Sequence, residues 1–193
     1  MKPPVNPVGS WEEYFASTLE MPLHPLYREL EPHLPAYGNA LELGCGVGTG
    51  ARWLASKGLS VEAVDALPEA IASARPAERV TFTCAYMQDL PLPPDRYDLV
   101  VAGFCLFFLS PEDLAAFWPR LVQSILPGGL FMGQFLGPRD DWAEQGYTTQ
   151  SEAEIDAMLA SFTVLHREEV ERDCKTSQGT DKHWHVTHVI AKR

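Results

Sequence analysis

Four glycines in seven residues, Gly44-Cys45-Gly46-Val47-Gly48-Thr49-Gly50, constrain the fold of this 193-residue chain more than any other feature. The run follows a short apolar stretch, 40–43, that reads as a strand. It precedes a helical stretch, 49–57, with Ala51, Leu54 and Ala55 on one face and Gly58 as its stop. Glycines at such a junction let the backbone approach a ligand closely, and the helix N-terminus offers unpaired N–H groups. The alternation then continues. A strand over 61–64 ends at Asp65, a proline-initiated helix covers 68–75, and 80–84 alternates like a half-buried strand. The apolar run 99–103 reads as a central strand. Ser110 caps a helix with a 3.6-residue apolar period, expected to kink at Pro119. Pro127-Gly128-Gly129 is expected to turn into a strand over 130–135. Ser151 and Glu154 form a capping box, and strand-like runs at 162–170 and 184–191, joined by a polar loop, read as an antiparallel pair. The pattern predicts an α/β fold: a doubly wound, seven-stranded, mainly parallel (Rossmann-like) sheet with a C-terminal antiparallel hairpin.

Ahead of the alternation, Pro3, Pro4 and Pro7 suggest a flexible tail. Ser10 and Glu13 then form a capping box for a helix bearing Trp11, Tyr14, Phe15 and Leu19, and a second helix is expected over 26–33. The expected organisation is a helical lid, 1–38, and a ligand-binding domain, 39–193.

Charge narrows the functions. With 26 acidic against 15 basic residues the net charge is −11, which opposes binding to nucleic acid. The apolar run over 99–111 ends in Ser110-Pro111, short of the roughly 18–20 residues of a membrane span. The N-terminus has no apolar signal-peptide core. Cys45, Cys84, Cys105 and Cys174 form no CxxC pair and read as reduced, mostly buried thiols of a cytoplasmic protein, with no metal expected.

Two nucleotide cofactors fit the glycine loop. Asp65 ends the next strand 21 residues after Gly44, where a carboxylate can accept bonds from both ribose hydroxyls. Gly46-x-Gly48-x-x-Ala51 satisfies the NAD(P) fingerprint. Glu42, expected at the mouth of the loop, opposes a pyrophosphate and suits the cationic S-adenosylmethionine instead. No Gly-Lys-Ser/Thr follows, so a P-loop is excluded.

Glu42-Leu-Gly44-Cys-Gly46-Val-Gly48 resembles the first motif of class I S-adenosylmethionine-dependent methyltransferases. Asp65 resembles their ribose-binding acid, and Asp89, in Met87-Gln88-Asp89, the residue that meets the adenine amino group. Tyr97-Asp98-Leu99-Val100-Val101 resembles their fourth strand and Leu126-Pro127-Gly128-Gly129 the turn before the fifth, in family order across 39–136. The resemblance implies cofactor contacts from Glu42, Gly44, Cys45, Gly46, Gly48, Asp65, Ala66, Met87, Gln88, Asp89, Gly103 and Phe104. Residues 137–142 and 182–185 are similar to tellurite-resistance-type small-molecule methyltransferases. The implied function is methyl transfer from S-adenosylmethionine to a small-molecule acceptor by in-line displacement. An NAD(P)-dependent oxidoreductase and a non-catalytic S-adenosylmethionine-binding regulatory protein stay open as alternatives.

A displacement of this kind needs alignment and dryness more than a catalytic dyad. The substrate-side candidates are Tyr14, Arg139, His183 and His185. Each has a plainer explanation. Tyr14 lies on a helix face that packs on a core as readily as it covers a ligand. His183 and His185, two apart, share one strand face. With Cys174 they invite a zinc site that no further ligand pair supports. Arg139 and Asp140 would pair with each other in a surface loop.

Overall fold

Seven strands, β1 (Gly38–Leu43), β2 (Leu59–Asp65), β3 (Val80–Cys84), β4 (Tyr97–Ala102), β5 (Ile125–Leu136), β6 (Thr163–Lys175) and β7 (Asp181–Lys192), form one sheet in the order β3-β2-β1-β4-β5-β7-β6. The first five run parallel; β7 is antiparallel to both β5 and β6. The computed structural model describes residue 6 and residues 9–193, so Pro3, Pro4 and Pro7 lie outside the described residues.

The period-two alternation of each strand divides the core between two helix layers. On one face Leu41, Val100, Phe131 and Val189 pack with Phe117, Trp118 and Leu121 of α5 (Pro111–Ser124) and Ile155 of α7 (Glu152–Met158). On the other, Ala40, Val61, Val101, Met132 and Ile190 pack with α2 (Leu26–Leu30) and α3 (Thr49–Ser56). Leu26, Tyr27 and Leu30 of α2 belong to that core, so the N-terminal segment is built into the domain. Ahead of it, α1 (Trp11–Thr18), capped by the Ser10 hydroxyl, lays Phe15 on Val47 and on Leu67 and Ala70, the latter in α4 (Pro68–Ser73).

Several boundaries differ from the sequence expectation, each for a local reason. The helix expected over 26–33 tightens into a 3-10 turn at Glu31–His33, because Pro32 has no N–H for the Arg28 carbonyl. Residues 127–129 lie within β5 rather than before it. Tyr97 pairs with Ile125 but Leu99 with Leu130, a bulge that Gly128 supports at φ +83°. The α5 helix runs on through Pro119 to Ser124. Cys84 is exposed and Cys174 half-buried, so only Cys45 and Cys105 are buried thiols. The hairpin is longer than the apolar pattern suggested. Its polar residues carry the strands on through cross-strand ion pairs such as His183 with Asp173. Since β5 pairs with β7 only up to Leu136–Val186, residues 171–185 project past the carboxyl edge of the sheet as a wall. No helix among the described residues is long and apolar enough to cross a membrane.

Candidate active site

A cavity of 710 Å³ opens above the carboxyl ends of the parallel strands. Small-molecule sites commonly span about 300–1,000 Å³. The glycine loop is its floor. Gly44 and Gly46 adopt φ of +64° and +51°, and a Cβ on Gly46 would meet only the Phe15 ring, 3.8 Å away. The loop is pinned by the Cys45 amide donating to the Val64 carbonyl at 3.0 Å. The Gly46 amide donates to Asp65 Oδ2 at 2.9 Å, and the Leu67 amide to Oδ1 at 3.0 Å. Asp65 is thus aimed by two backbone amides and keeps lone pairs free for a ligand in the cavity it lines. Burial raises its pKa, opposed by those amide bonds.

Ala66, Met87 and Gln88 line the cavity at the β2–β3 end, and Gly103 and Phe104 line it after β4. Phe104 holds φ +49°, its amide donating to Gln134 Oε1 at 3.1 Å. Trp11, Tyr14 and Phe15 cover the floor; burial, then the Asp65 charge, raises the Tyr14 pKa and keeps its phenol neutral. Asn6 Nδ2 donates to Gln178 Oε1 at 3.2 Å, so the N-terminal segment meets the hairpin turn. Of the residues the sequence singled out, the cavity therefore brings together Tyr14, Gly44, Gly46, Asp65, Ala66, Met87, Gln88, Gly103 and Phe104.

Others lie elsewhere. Glu42 is not at the mouth of the loop. It is buried behind it, accepting from the Tyr27 hydroxyl at 2.6 Å, with the nearby Ala51 amide in the first turn of α3 favouring its charged form. A Cβ on Gly50 would come within 2.0 Å of this carboxylate, so only glycine lets α3 cross there. Burial pushes Glu42 up to about 7, and its Oε2 has no partner. Cys45 is buried beneath the loop and burial raises its pKa. Gly48 caps α3, with the Phe82 ring against it. Asp89 is exposed at the end of the 3-10 turn Met87–Asp89.

Strand periodicity separates the histidines. Trp184, Val186 and His188 of β7 face the cavity with Val170, Arg172 and Cys174 of β6. His183 and His185 point to the opposite face, His183 pairing with Asp173 at 2.7 Å and His185 with Glu169 at 2.6 Å. Arg139 joins that outer lattice rather than Asp140, reaching Glu171 at 2.7 Å and Glu169 at 3.1 Å. Its guanidinium, bonding to Glu171, holds that carboxyl well below its ordinary range. Glu169, Glu171 and His185 have metal-like proximity, but Arg139 already occupies the cluster. Cys174, on the cavity face, cannot join His183 and His185 in a metal site. Asp140 instead forms a buried ion pair with Lys182, whose ammonium lies 3.8 Å from the Trp184 ring centre and 4.4 Å from that of Trp142.

The sequence reading missed His24, Arg172, Trp184 and His188. Three of them stand on strand positions opposite to those chosen, a parity that 184–188 displays once one residue of the strand is oriented. His24, in the connection between α1 and α2, had no such signal.

Residues 40–129 match the family model described as a methyltransferase domain. An uncharacterised methyltransferase of Synechocystis is 30% identical over 92 residues, 47% of this chain and 43% of that protein. The chain thus matches less than half the length of that relative. A solved S-adenosylmethionine-dependent methyltransferase from Methanosarcina mazei superposes with a TM-score of 0.67 at 19% identity, over 90% of this chain and 99% of that one. The N-methyltransferase NodS of Bradyrhizobium japonicum, solved with S-adenosylhomocysteine, gives 0.68 at 17% identity, over 96% and 99%. The 1,6-didemethyltoxoflavin-N1-methyltransferase of Burkholderia thailandensis, with that substrate and S-adenosylhomocysteine, gives 0.68 at 22%, over 100% and 94%. Residues 40–129 are thus similar to a methyltransferase domain, and the chain has the fold of these S-adenosylmethionine-dependent methyltransferases.

Proposed function

We propose that the protein transfers a methyl group from S-adenosylmethionine to a small-molecule acceptor held in the same cavity. The observation that carries this reading is Asp65, aimed by the Gly46 and Leu67 amides over a glycine floor left open at Gly46. Bound there, S-adenosylmethionine would supply an electrophilic methyl group on a sulfonium centre. Asp65 would receive the ribose hydroxyls, with Ala66, Met87 and Gln88 against the base. Trp11, Tyr14 and Phe15 would keep water out.

A pyrophosphate suits this loop poorly, for a reason different from the one the sequence suggested. The Gly48 amide donates to the Cys45 carbonyl and the Glu42 carboxyl lies against the first turn of α3 at Gly50, so the α3 N-terminus has one donor fewer and an acidic group behind it. That disfavours the oxidoreductase alternative. The volume beyond the cofactor residues, out to Arg172 and His188, favours turnover over a purely regulatory binding role.

Enclosure by α1 and the hairpin suits a ligand that can be fully surrounded, and a net charge of −11 disfavours nucleic acid. The Burkholderia enzyme of the same fold takes an acceptor of that size class. Residues 137–142 and 182–185, which resemble the tellurite-resistance type, brace the hairpin through Asp140 and Lys182. That likeness is architectural and leaves the acceptor open.

Calorimetry is expected to show S-adenosylhomocysteine binding at micromolar affinity and NAD(H) not binding. Labelled methyl transfer should reach small thiols, amines or phenols rather than bulk tRNA or duplex DNA. Tighter binding of NAD(H) than of S-adenosylhomocysteine would overturn the cofactor assignment.

A further inference from the structure

We propose that His188 is the hydrogen-bond acceptor for the methyl acceptor's own protic group, and that this acceptor is a planar aromatic molecule bearing an N–H, O–H or S–H at the atom to be methylated. The proposal rests on reading the cavity as a methyl-transfer site and names what its far end receives. Asp65 ends β2, whereas His188 lies on β7, four strand-to-strand steps across the sheet. At roughly 4.8 Å per step this is about 19 Å, so the two residues serve different ligands or different ends of a pair.

His188 is a buried side chain lining the cavity; its Nδ1 is unpaired but shielded from solvent, so the nitrogen open to a guest is Nε2, which has no partner among the described residues. Buried polar atoms are nearly always paired, and an unpaired one costs free energy unless a ligand completes it. The groups facing it do not do so. His24, from the α1–α2 connection, sits 5.2 Å away ring to ring; its Nδ1 accepts from the Leu26 amide, so its Nε2 carries the proton in the neutral ring. It offers the cavity a donor. Glu168 stands opposite His188 in the β6–β7 register but is exposed, with its carboxylate 4.0 Å from His166 Nε2. Arg172 lines the cavity on the same strand and brings positive charge. Burial above all, then His24, His166 and Arg172, pushes His188 down to about 4, so its imidazole is neutral at neutral pH and keeps a lone pair to accept a hydrogen bond.

The surrounding surface sets the shape of the guest. Phe104 packs 5.5 Å from His24, 6.0 Å from Trp184 and 6.2 Å from His188, centre to centre. Ring faces and edges of this kind favour a flat aromatic partner. When its heteroatom X is methylated, the X–CH3 bond would form as the S–CH3 bond breaks with its electron pair going to sulfur; the X–H bond breaks with its pair staying on X, and the proton leaves along the His188 hydrogen bond to solvent.

The test compares 2-naphthol with 2-methoxynaphthalene, which lacks the O–H, by fluorescence titration in the presence of S-adenosylhomocysteine. Wild-type protein should prefer 2-naphthol by about tenfold, the worth of one good hydrogen bond. His188→Leu should lose that preference while S-adenosylhomocysteine binding, followed by calorimetry, stays unchanged. Because the substitution removes an unpaired buried nitrogen, its melting temperature should not fall. His188→Asn, which restores an acceptor oxygen, should recover part of the preference. Equal binding of both probes, binding of neither, or an unchanged preference in His188→Leu would overturn the proposal. A preference that depends on His188 in a protein that does not bind S-adenosylhomocysteine would instead strike the methyltransferase reading and leave the acceptor site standing.

Discussion

At neutral pH Glu42 sits between its two protonation states, because burial has carried it from its ordinary value of 4.5 to about 7. In that interval the folded protein binds a proton that the unfolded chain releases. Stability contributed by Glu42 is therefore full below pH 4.5 and is lost as pH rises through 7. The full difference is about 3–4 kcal/mol. His188 has the opposite sign: its pKa falls from 6.5 to about 4 on folding, so stability present above pH 6.5 is lost as pH drops toward 4. The two slopes oppose each other in the wild type and separate only in variants. Glu42→Gln keeps an acceptor for Tyr27 and cannot ionise. Its urea midpoint relative to wild type should improve between pH 5 and pH 8 by an amount equivalent to about 2–3 kcal/mol. A difference that does not change with pH would show that Glu42 does not titrate in this range. Asp65 tests the cofactor site more directly. Asp65→Ala removes two charge-assisted ribose bonds and should weaken S-adenosylhomocysteine binding by about 2–3 kcal/mol, while releasing the Gly46 and Leu67 amides at a stability cost of about 1–3 kcal/mol. Parent-like affinity in a calorimetric titration would remove Asp65 from the ribose.

At the scale of elements, the strands and helices from β1 to β5 were legible because periodicity and breakers agree there. The apolar run at 99–103, the Ser110 cap and Gly58 each point to one structure. The antiparallel pairing of the hairpin was legible too, but the length of its strands was not, because their outer segment is stabilised by ion pairs rather than by apolar alternation. Glu169, Glu171 and Asp173 look like loop residues until His183, His185 and Arg139 are opposite them. The same gap inverted the reading of the site. The glycine loop and Asp65 could be placed from the sequence, whereas His188 could not be told from His185 without knowing which face of β7 is turned inward. Lys182 shows how the hairpin wall is held. It and Asp140 are both fully buried, and Asp140 also accepts from the Trp142 and His185 amides. Lys182→Met would fill the slot between Trp142 and Trp184 but strand a buried carboxylate, costing about 3–5 kcal/mol. Urea unfolding would register this; a loss below about 1 kcal/mol would mean that Asp140 is satisfied by its amides alone.

Across the whole molecule, the cavity joins parts of the chain that share few other contacts: the α1 cover, the glycine floor, the β4–α5 segment and the hairpin wall. A ligand touching all of them should stabilise the folded state as a unit, since the unfolded chain offers it no site. At a concentration of about 100 Kd the gain is about 2.7 kcal/mol. For a domain of this length each kcal/mol is worth about 2–4 °C, so S-adenosylhomocysteine should raise the melting temperature by about 5–10 °C. NAD(H) at the same concentration should leave it unchanged, because the Gly48 amide is already committed to the Cys45 carbonyl and the Glu42 carboxyl lies behind the first turn of α3. The shift should shrink in Asp65→Ala and persist in His188→Leu, since the first residue faces the cofactor half and the second the acceptor half. Equal shifts in both variants would mean that the cavity holds one ligand along its whole length, and the division of labour between β2 and β7 would fall with it.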